Sequence, residues 1–172
     1  MADFKSIEVE GADELRAALA HAIAHLERPR DLMQALADVI KGNIERRFDS
    51  KRDPGGSGWE PLRPATKARY RREDTDARTG AHTRRGTILE RTGRMRASLA
   101  AAAGDDWAQI GMDRLTDGGR WSIPLLHETG TRRMVARPIF LADWRSGKLG
   151  ADDERDLEDE IAAFLDDLFG PG

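Results

Sequence analysis

Leu32, Leu36, Ile40, Ile44 and Phe48 recur every fourth residue without a gap, and Met33 and Val39 thicken the row. Such a row occupies one side of an α-helix and obliges the fold to bury that side. The row is bounded at both ends. Pro29 forbids continuation from an earlier helix, Asp31 offers an N-cap, and Asp53-Pro54-Gly55-Gly56-Ser57-Gly58 is dense in turn formers, so this helix is expected to start at Asp31 and stop near Asp49. Little further core is on offer, because Leu, Ile, Val and Phe supply 33 of 172 residues while charged residues make up 34%. That supply suits one modest domain over residues 1–172 and falls short of two.

The remaining elements are shorter. Lys5 to Glu10 alternates as a half-buried strand, and Leu15, Leu19, Ile23 and Leu26 keep helical spacing up to Pro29. Residues 49–88 have little periodicity, and a long, partly flexible basic loop is expected there. Trp59 within it is either a pin that ties the loop to the core or an anchor for a neighbouring subunit, with the pin favoured. Thr92 can cap a short helix from Gly93 to Leu99, or Arg96 to Ala103 is already extended, with helix-then-strand favoured, and Trp107 to Met112 alternates as a strand. Ile123 to His127 fits a short helix with Pro124 in its first turn, ended by Thr129-Gly130-Thr131. Gly93, Gly111 and Gly130 are expected at chain reversals or close backbone approaches. Pro138 sets the chain direction before Phe140 and Leu141, which should enter the core. A last amphipathic helix over Asp152 to Phe169 carries Leu157, Ile161, Phe164, Leu165 and Leu168 on one side and acids on the other.

Charge is segregated along the chain. Residues 41–100 hold 16 Lys and Arg against 8 Asp and Glu, whereas residues 150–169 hold nine acids against Arg155 alone. A chain charged in this way can associate head to tail, or can present its basic part to nucleic acid. The cations singled out for contact with another subunit or partner are Arg69, Arg71, Arg72, Arg84, Arg85, Arg132 and Arg133, together with Trp59.

Catalytic patterns are sparse. With no cysteine, disulfides, thiol nucleophiles and thiolate metal sites are excluded. His21 and His25 stand at i, i+4 without a third metal ligand, and Pro54 to Gly58 lacks the Gly-Lys-Ser/Thr ending of a phosphate loop. His127-Glu128 is an adjacent acid and base with no nucleophile elbow nearby, so no catalytic residue, cofactor or metal is assigned. No run approaches the length of a membrane span, and Met1 to Lys5 begins no apolar leader, so a cytosolic chain is expected.

Taken in order, the pieces resemble the phage virion morphogenesis, or tail completion, family of Mu-like phages and prophages. After Phe48, Asp53-Pro54-x-Gly56-x-x-Trp59 with Pro61-Leu62 is similar to the family's Asp-Pro-x-Gly-x-x-Trp-x-Pro-Leu block. Ile88-Leu89-x-x-Thr92-Gly93-x-Met95-x-x-Ser98-Leu99 follows, then a strand ending near Gly111, then Leu126-His127-x-x-Gly130, then Ala136-Arg137-Pro138-Ile139-Phe140-Leu141. Together these cover about residues 30 to 169. Three departures stand out: Pro124-Leu125 stands about where an aromatic-Ala pair precedes the Ile-His, Glu128-Thr129 replaces the Gln-Phe that follows the histidine, and Ile139 is inserted into the Arg-Pro-Phe run.

The resemblance implies an α+β fold, with N-terminal helices and a C-terminal helix packed on a small, mostly antiparallel sheet and a long basic loop at 49–88. It also implies a structural protein without catalysis, forming a closed ring of identical subunits, a hexamer being the expected size. That ring would complete the tail or join it to the head, meeting other phage head-tail junction or tail proteins. It would act in the host bacterial cytoplasm during assembly and in the virion afterwards, with non-specific contact to packaged DNA as a further partner and no membrane. The alternative is a nucleic-acid-binding module using the basic 63–96 segment.

Overall fold

The computed structural model describes residues 29–73 and 87–169. The strand expected over Lys5 to Glu10, the helix before Pro29, and Arg84 and Arg85 lie outside these residues.

Helix α1 (Pro29–Ser50) realises the i, i+4 row, and Ala37, Ile40, Ile44 and Phe48 form its buried side. Its first turn includes Asp31, so the helix begins two residues before the expected cap: Pro29 occupies a first-turn position, where its fixed φ suits the helix and its missing N–H costs nothing. Ile40, Ile44 and Phe48 join Trp59, Met95 and Ile139 in one core cluster. Each such side chain, when fully buried, contributes about 1.5–3 kcal/mol. Leu89, Leu99, Ile110, Ile123, Phe140 and Leu157 pack around the edge of the cluster.

Where it is described, the stretch expected to be a long loop contains regular structure. Its first part is a closed turn in which Asp53 Oδ1 accepts from the Ser57 amide (2.9 Å) and Arg52 bridges to Gly58. Gly56 takes a φ of 83° inside that turn, a conformation that favours glycine. Helix α2 (Pro64–Glu73) then occupies part of the stretch expected to be loop. It has no apolar stripe, which is why periodicity missed it, although Pro64 at its start and the run of Ala, Lys and Arg are good helix chemistry.

Helix α3 (Arg94–Ala97) leads into strand β1 (Leu99–Ala103), which pairs antiparallel with β2 (Ala108–Met112), Leu99 standing opposite Met112 and Ala103 opposite Ala108. Both strands pack against α1, giving a small α+β fold. Gly111 lies inside β2 with open space where a side chain would stand, so it marks neither a reversal nor a close approach. Helix α4 (Ile123–Thr129) has the expected proline in its first turn, capped by Ser122 Oγ accepting from the Leu125 amide (3.4 Å). It ends at Gly130, whose φ is 70° and where an added Cβ would lie 2.9 Å from the Ala136 amide nitrogen. Both features require glycine.

Helix α5 (Ala151–Phe169) lies against α1. Its apolar residues do not share one buried side as expected. Leu168 is buried and Leu157 packs on the core, while Ile161 and Leu165 are exposed together with Phe169. An acid stands among the inward residues instead: Asp153 is fully buried. Helix α1 answers it, because Arg47 pairs with Asp153, Asn43 Nδ2 donates to the same carboxylate (2.9 Å), and Arg47 Nη1 donates to the Ile139 carbonyl (3.0 Å). At the start of α5, a Cβ on Gly150 would stand 2.2 Å from the Pro54 carbonyl oxygen, so helix and turn meet backbone to backbone.

Candidate functional site

The segments carrying the family resemblance are far apart in sequence, and in the fold they converge. Leu62 of the first block, Leu89, Thr92, Gly93 and Met95 of the second, His127 of the third and Arg137 of the fourth line one cleft of about 650 Å³. Two of the lining positions are held in unusual backbone. Leu89 has a φ of 61°, costly for a branched side chain, and Gly93 has 72°. The Leu89 turn is closed by a bridge between Thr87 and Glu90.

Behind that turn, Glu90 is held by Lys51 and by Arg96 (3.1 Å), and Arg96 also reaches Asp49 (2.7 Å). Burial alone would raise the Glu90 carboxyl, but the hydrogen bonds from Lys51 and Arg96 hold it below its ordinary value. The wall of the cleft is therefore rigid and internally neutralised.

The cleft itself is cationic. Arg91, Arg94, Arg114 and Arg137 line it, and the one carboxylate among its lining residues is Asp117, fully exposed and 4.0 Å from Arg114. Such an exposed contact is worth little. Arg91 stacks over Tyr70 with its guanidinium 4.5 Å from the ring centroid, which joins α2 to the cleft edge. Arg137 is buried and spends its donors on carbonyls, Nε to Glu60 (2.8 Å) and Nη2 to Pro61 (3.4 Å). Its charge therefore meets no carboxylate among the described residues. The consequence appears at His127, where burial and the nearby Arg137 charge push the imidazole down to about 4. Its Nδ1 is buried without a hydrogen-bond partner among the described residues.

Two neighbouring residues singled out in the sequence are given definite places by the fold. Trp59 is 5% exposed, its ring meets Phe48 edge to face at 5.6 Å, and its indole N–H donates to the Pro138 carbonyl (2.8 Å). That is the geometry of a pin and leaves almost no surface for a neighbouring subunit, so Trp59 does not belong among the contact residues. Glu128, weighed earlier as half of an acid and base pair, accepts from three successive amides, Ile139 (2.7 Å), Phe140 (3.1 Å) and Leu141 (2.9 Å). It is a clamp with both carboxylate oxygens engaged. The inserted Ile139 takes the core position expected for Phe140 and Leu141, which stay partly buried. Asp53, Pro54 and Gly56 shape the turn below α5, away from the cleft lining.

The cations expected at contacts are dispersed. Arg69, Arg71 and Arg72 stand exposed on α2, and Arg132 and Arg133 stand at the exposed reversal after Gly130, where the Thr131 amide donates to the Met134 carbonyl (2.8 Å). Among the described residues no group of His, Asp and Glu could hold a metal ion, and no helix is long and apolar enough to cross a membrane.

Comparison with known proteins agrees with the convergence of the motifs. A family model described as the phage virion morphogenesis family matches residues 11–165. The Mu-like prophage FluMu G protein 1 of Haemophilus influenzae is 33% identical over 121 residues, covering 69% of this chain and 71% of the relative. No solved structure matches. The chain belongs to the phage virion morphogenesis family, and its role is a structural one in the assembly of the phage particle.

Proposed function

We propose that the chain is a ring-forming subunit that acts at the head-tail junction or the tail end, completing the tail during virion assembly. The observation that carries this is the segregation of unbalanced charge on one small fold: a cationic cleft with basic α2 beside it, and an acidic α5 that lines no part of that cleft. Surfaces of opposite sign on different elements suit a heterologous contact, which closes into a ring when the rotation between copies permits. The family membership and the Mu-like prophage relative support the setting. A hexamer, and partners among the neighbouring head-tail proteins, complete the proposal.

Sedimentation and electron microscopy of the purified protein test it. A discrete multiple of 19.1 kDa with ring-shaped particles is the expected result, and a monomer at every concentration and salt tried would overturn self-assembly. One observation favours the second function: Lys67, Arg69, Arg71 and Arg72 are exposed on the single short helix α2, beside Tyr70. A nucleic-acid contact there predicts duplex affinity falling steeply with salt. Absent binding at low salt removes it.

A further inference from the structure

The outer side of α5 is not the polar surface expected of a helix with one buried face. Glu154, Glu158, Ile161, Leu165 and Phe169 follow one another at spacings of four, three, four and four residues, which places them on one side of the helix. All five are exposed, Phe169 at 67%, and neither glutamate forms an ion pair among the described residues. The stripe thus runs from two carboxylates at its N-terminal end to three apolar side chains at its C-terminal end. Asp153, Leu157 and Leu168 run along one edge of this stripe and are turned inward.

The cleft offers the converse set. Leu62, Leu89, Met95 and Ile123 give it apolar walls, and among the described residues Arg94 is exposed without an ion pair and Arg114 has only the long contact to Asp117. Helix α5 cannot fill the cleft from within, because α5 is tied to α1 by the Arg47–Asp153 pair and by Arg46 to Asp156 (2.8 Å).

We propose that the cleft receives the Glu154-to-Phe169 face of α5 from a second copy of the chain, with the glutamates meeting Arg94 and Arg114 and the apolar end seated against Leu62, Leu89 and Ile123. The contact is a helix laid in a groove, anchored at i, i+4 and i+8. It is heterologous, so each copy offers one cleft and one helix and the contact repeats. A bare phosphate chain would use the arginines and leave the apolar walls unpaired, so the mixed lining favours a protein helix.

This inference rests on the self-assembly proposed above, and its test separates the two. The full chain is studied by sedimentation in four forms: wild type, Arg94→Glu with Arg114→Glu, Glu154→Lys with Glu158→Lys, and all four changes together, with circular dichroism confirming that each is folded. Each pairwise reversal should weaken self-association about tenfold or more, and the fourfold variant, its charges exchanged across the contact, should recover most of the loss. Leu165→Ala with Phe169→Ala, which alters no charge, should weaken association comparably. If wild type associates and the reversals leave it unchanged, or if the fourfold variant is no better than either pair, the docking is wrong while self-assembly stands. If wild type is monomeric throughout, both fall. If the cleft reversal abolishes binding to a DNA duplex without affecting association, the cleft serves phosphates and the docking is overturned.

Discussion

Two charged regions of the molecule behave in opposite ways. Along the α1–α5 seam, and at the Glu128 clamp, every buried charge is answered from within: Asp153 by Arg47 and Asn43, Glu128 by three amides. In the cleft, Arg94 and Arg114 face only the remote Asp117 among the described residues, and a buried imidazole nitrogen is left without a partner there. The first arrangement defines a single-chain fold, since a satisfied buried network fixes geometry and an unsatisfied one is costly. The cleft arginines are tolerated because they are solvated, and they leave interaction capacity where another chain can use it.

The sharpest way to break this contrast is to remove one partner from each internal network. Asp153→Ala should destabilise by roughly 3–5 kcal/mol because it strands the buried Arg47. Glu128→Ala should cost a similar amount by orphaning three amides, at roughly 1–3 kcal/mol for each one left unsatisfied. Urea unfolding measures both, and a cost below about 1 kcal/mol for either would mean that the seam or the clamp is no structural unit.

A titration sharpens the cleft side. His127 binds its proton near 6.5 in the unfolded chain and near 4 in the fold. The unfolded state therefore holds more protons between those values, so the stabilisation is complete above about pH 6.5 and is lost as pH falls toward 4. At about 1.36 kcal/mol per unit the effect reaches roughly 3 kcal/mol. His127→Gln should flatten stability across that window. Glu90, lowered in the fold, contributes stability above its ordinary value and loses it only at more acidic pH, so the two windows are separable in the variant.

A smaller effect is expected where α5 meets the turn. Gly150→Ala must push the helix off the Pro54 carbonyl, at roughly 1–3 kcal/mol for overpacking, read as a lower melting temperature. The smallest is expected in the cleft itself, where Arg94→Glu should change monomer stability by less than about 0.5 kcal/mol. A large stability loss there would erase the distinction between the two regions.

Much of the frame was legible because it follows local rules. The row from Leu32 to Phe48, the proline in the first turn of α4 and Gly130 at its end each depend on neighbours a few residues away. Charge patterning was legible in sign and not in address: the acidic helix was found, but the inward position of Asp153 depends on Arg47, more than a hundred residues earlier. The cleft was invisible for the same reason, since its lining comes from four separated segments and only the fold brings them together. Helix α2 escaped because a helix exposed on most sides has no stripe to read.

Glu128 and Ile139 are two of the departures from the pattern that this chain resembles, and in the fold they touch: the Ile139 amide donates to the Glu128 carboxylate. An extra residue brings an extra peptide N–H, and a carboxylate brings acceptor capacity that an amide side chain lacks. The two positions therefore act as one unit in this fold. Transferring either alone into a relative would leave a donor or an acceptor unmatched, so the pair should be inherited, grafted and deleted as a unit.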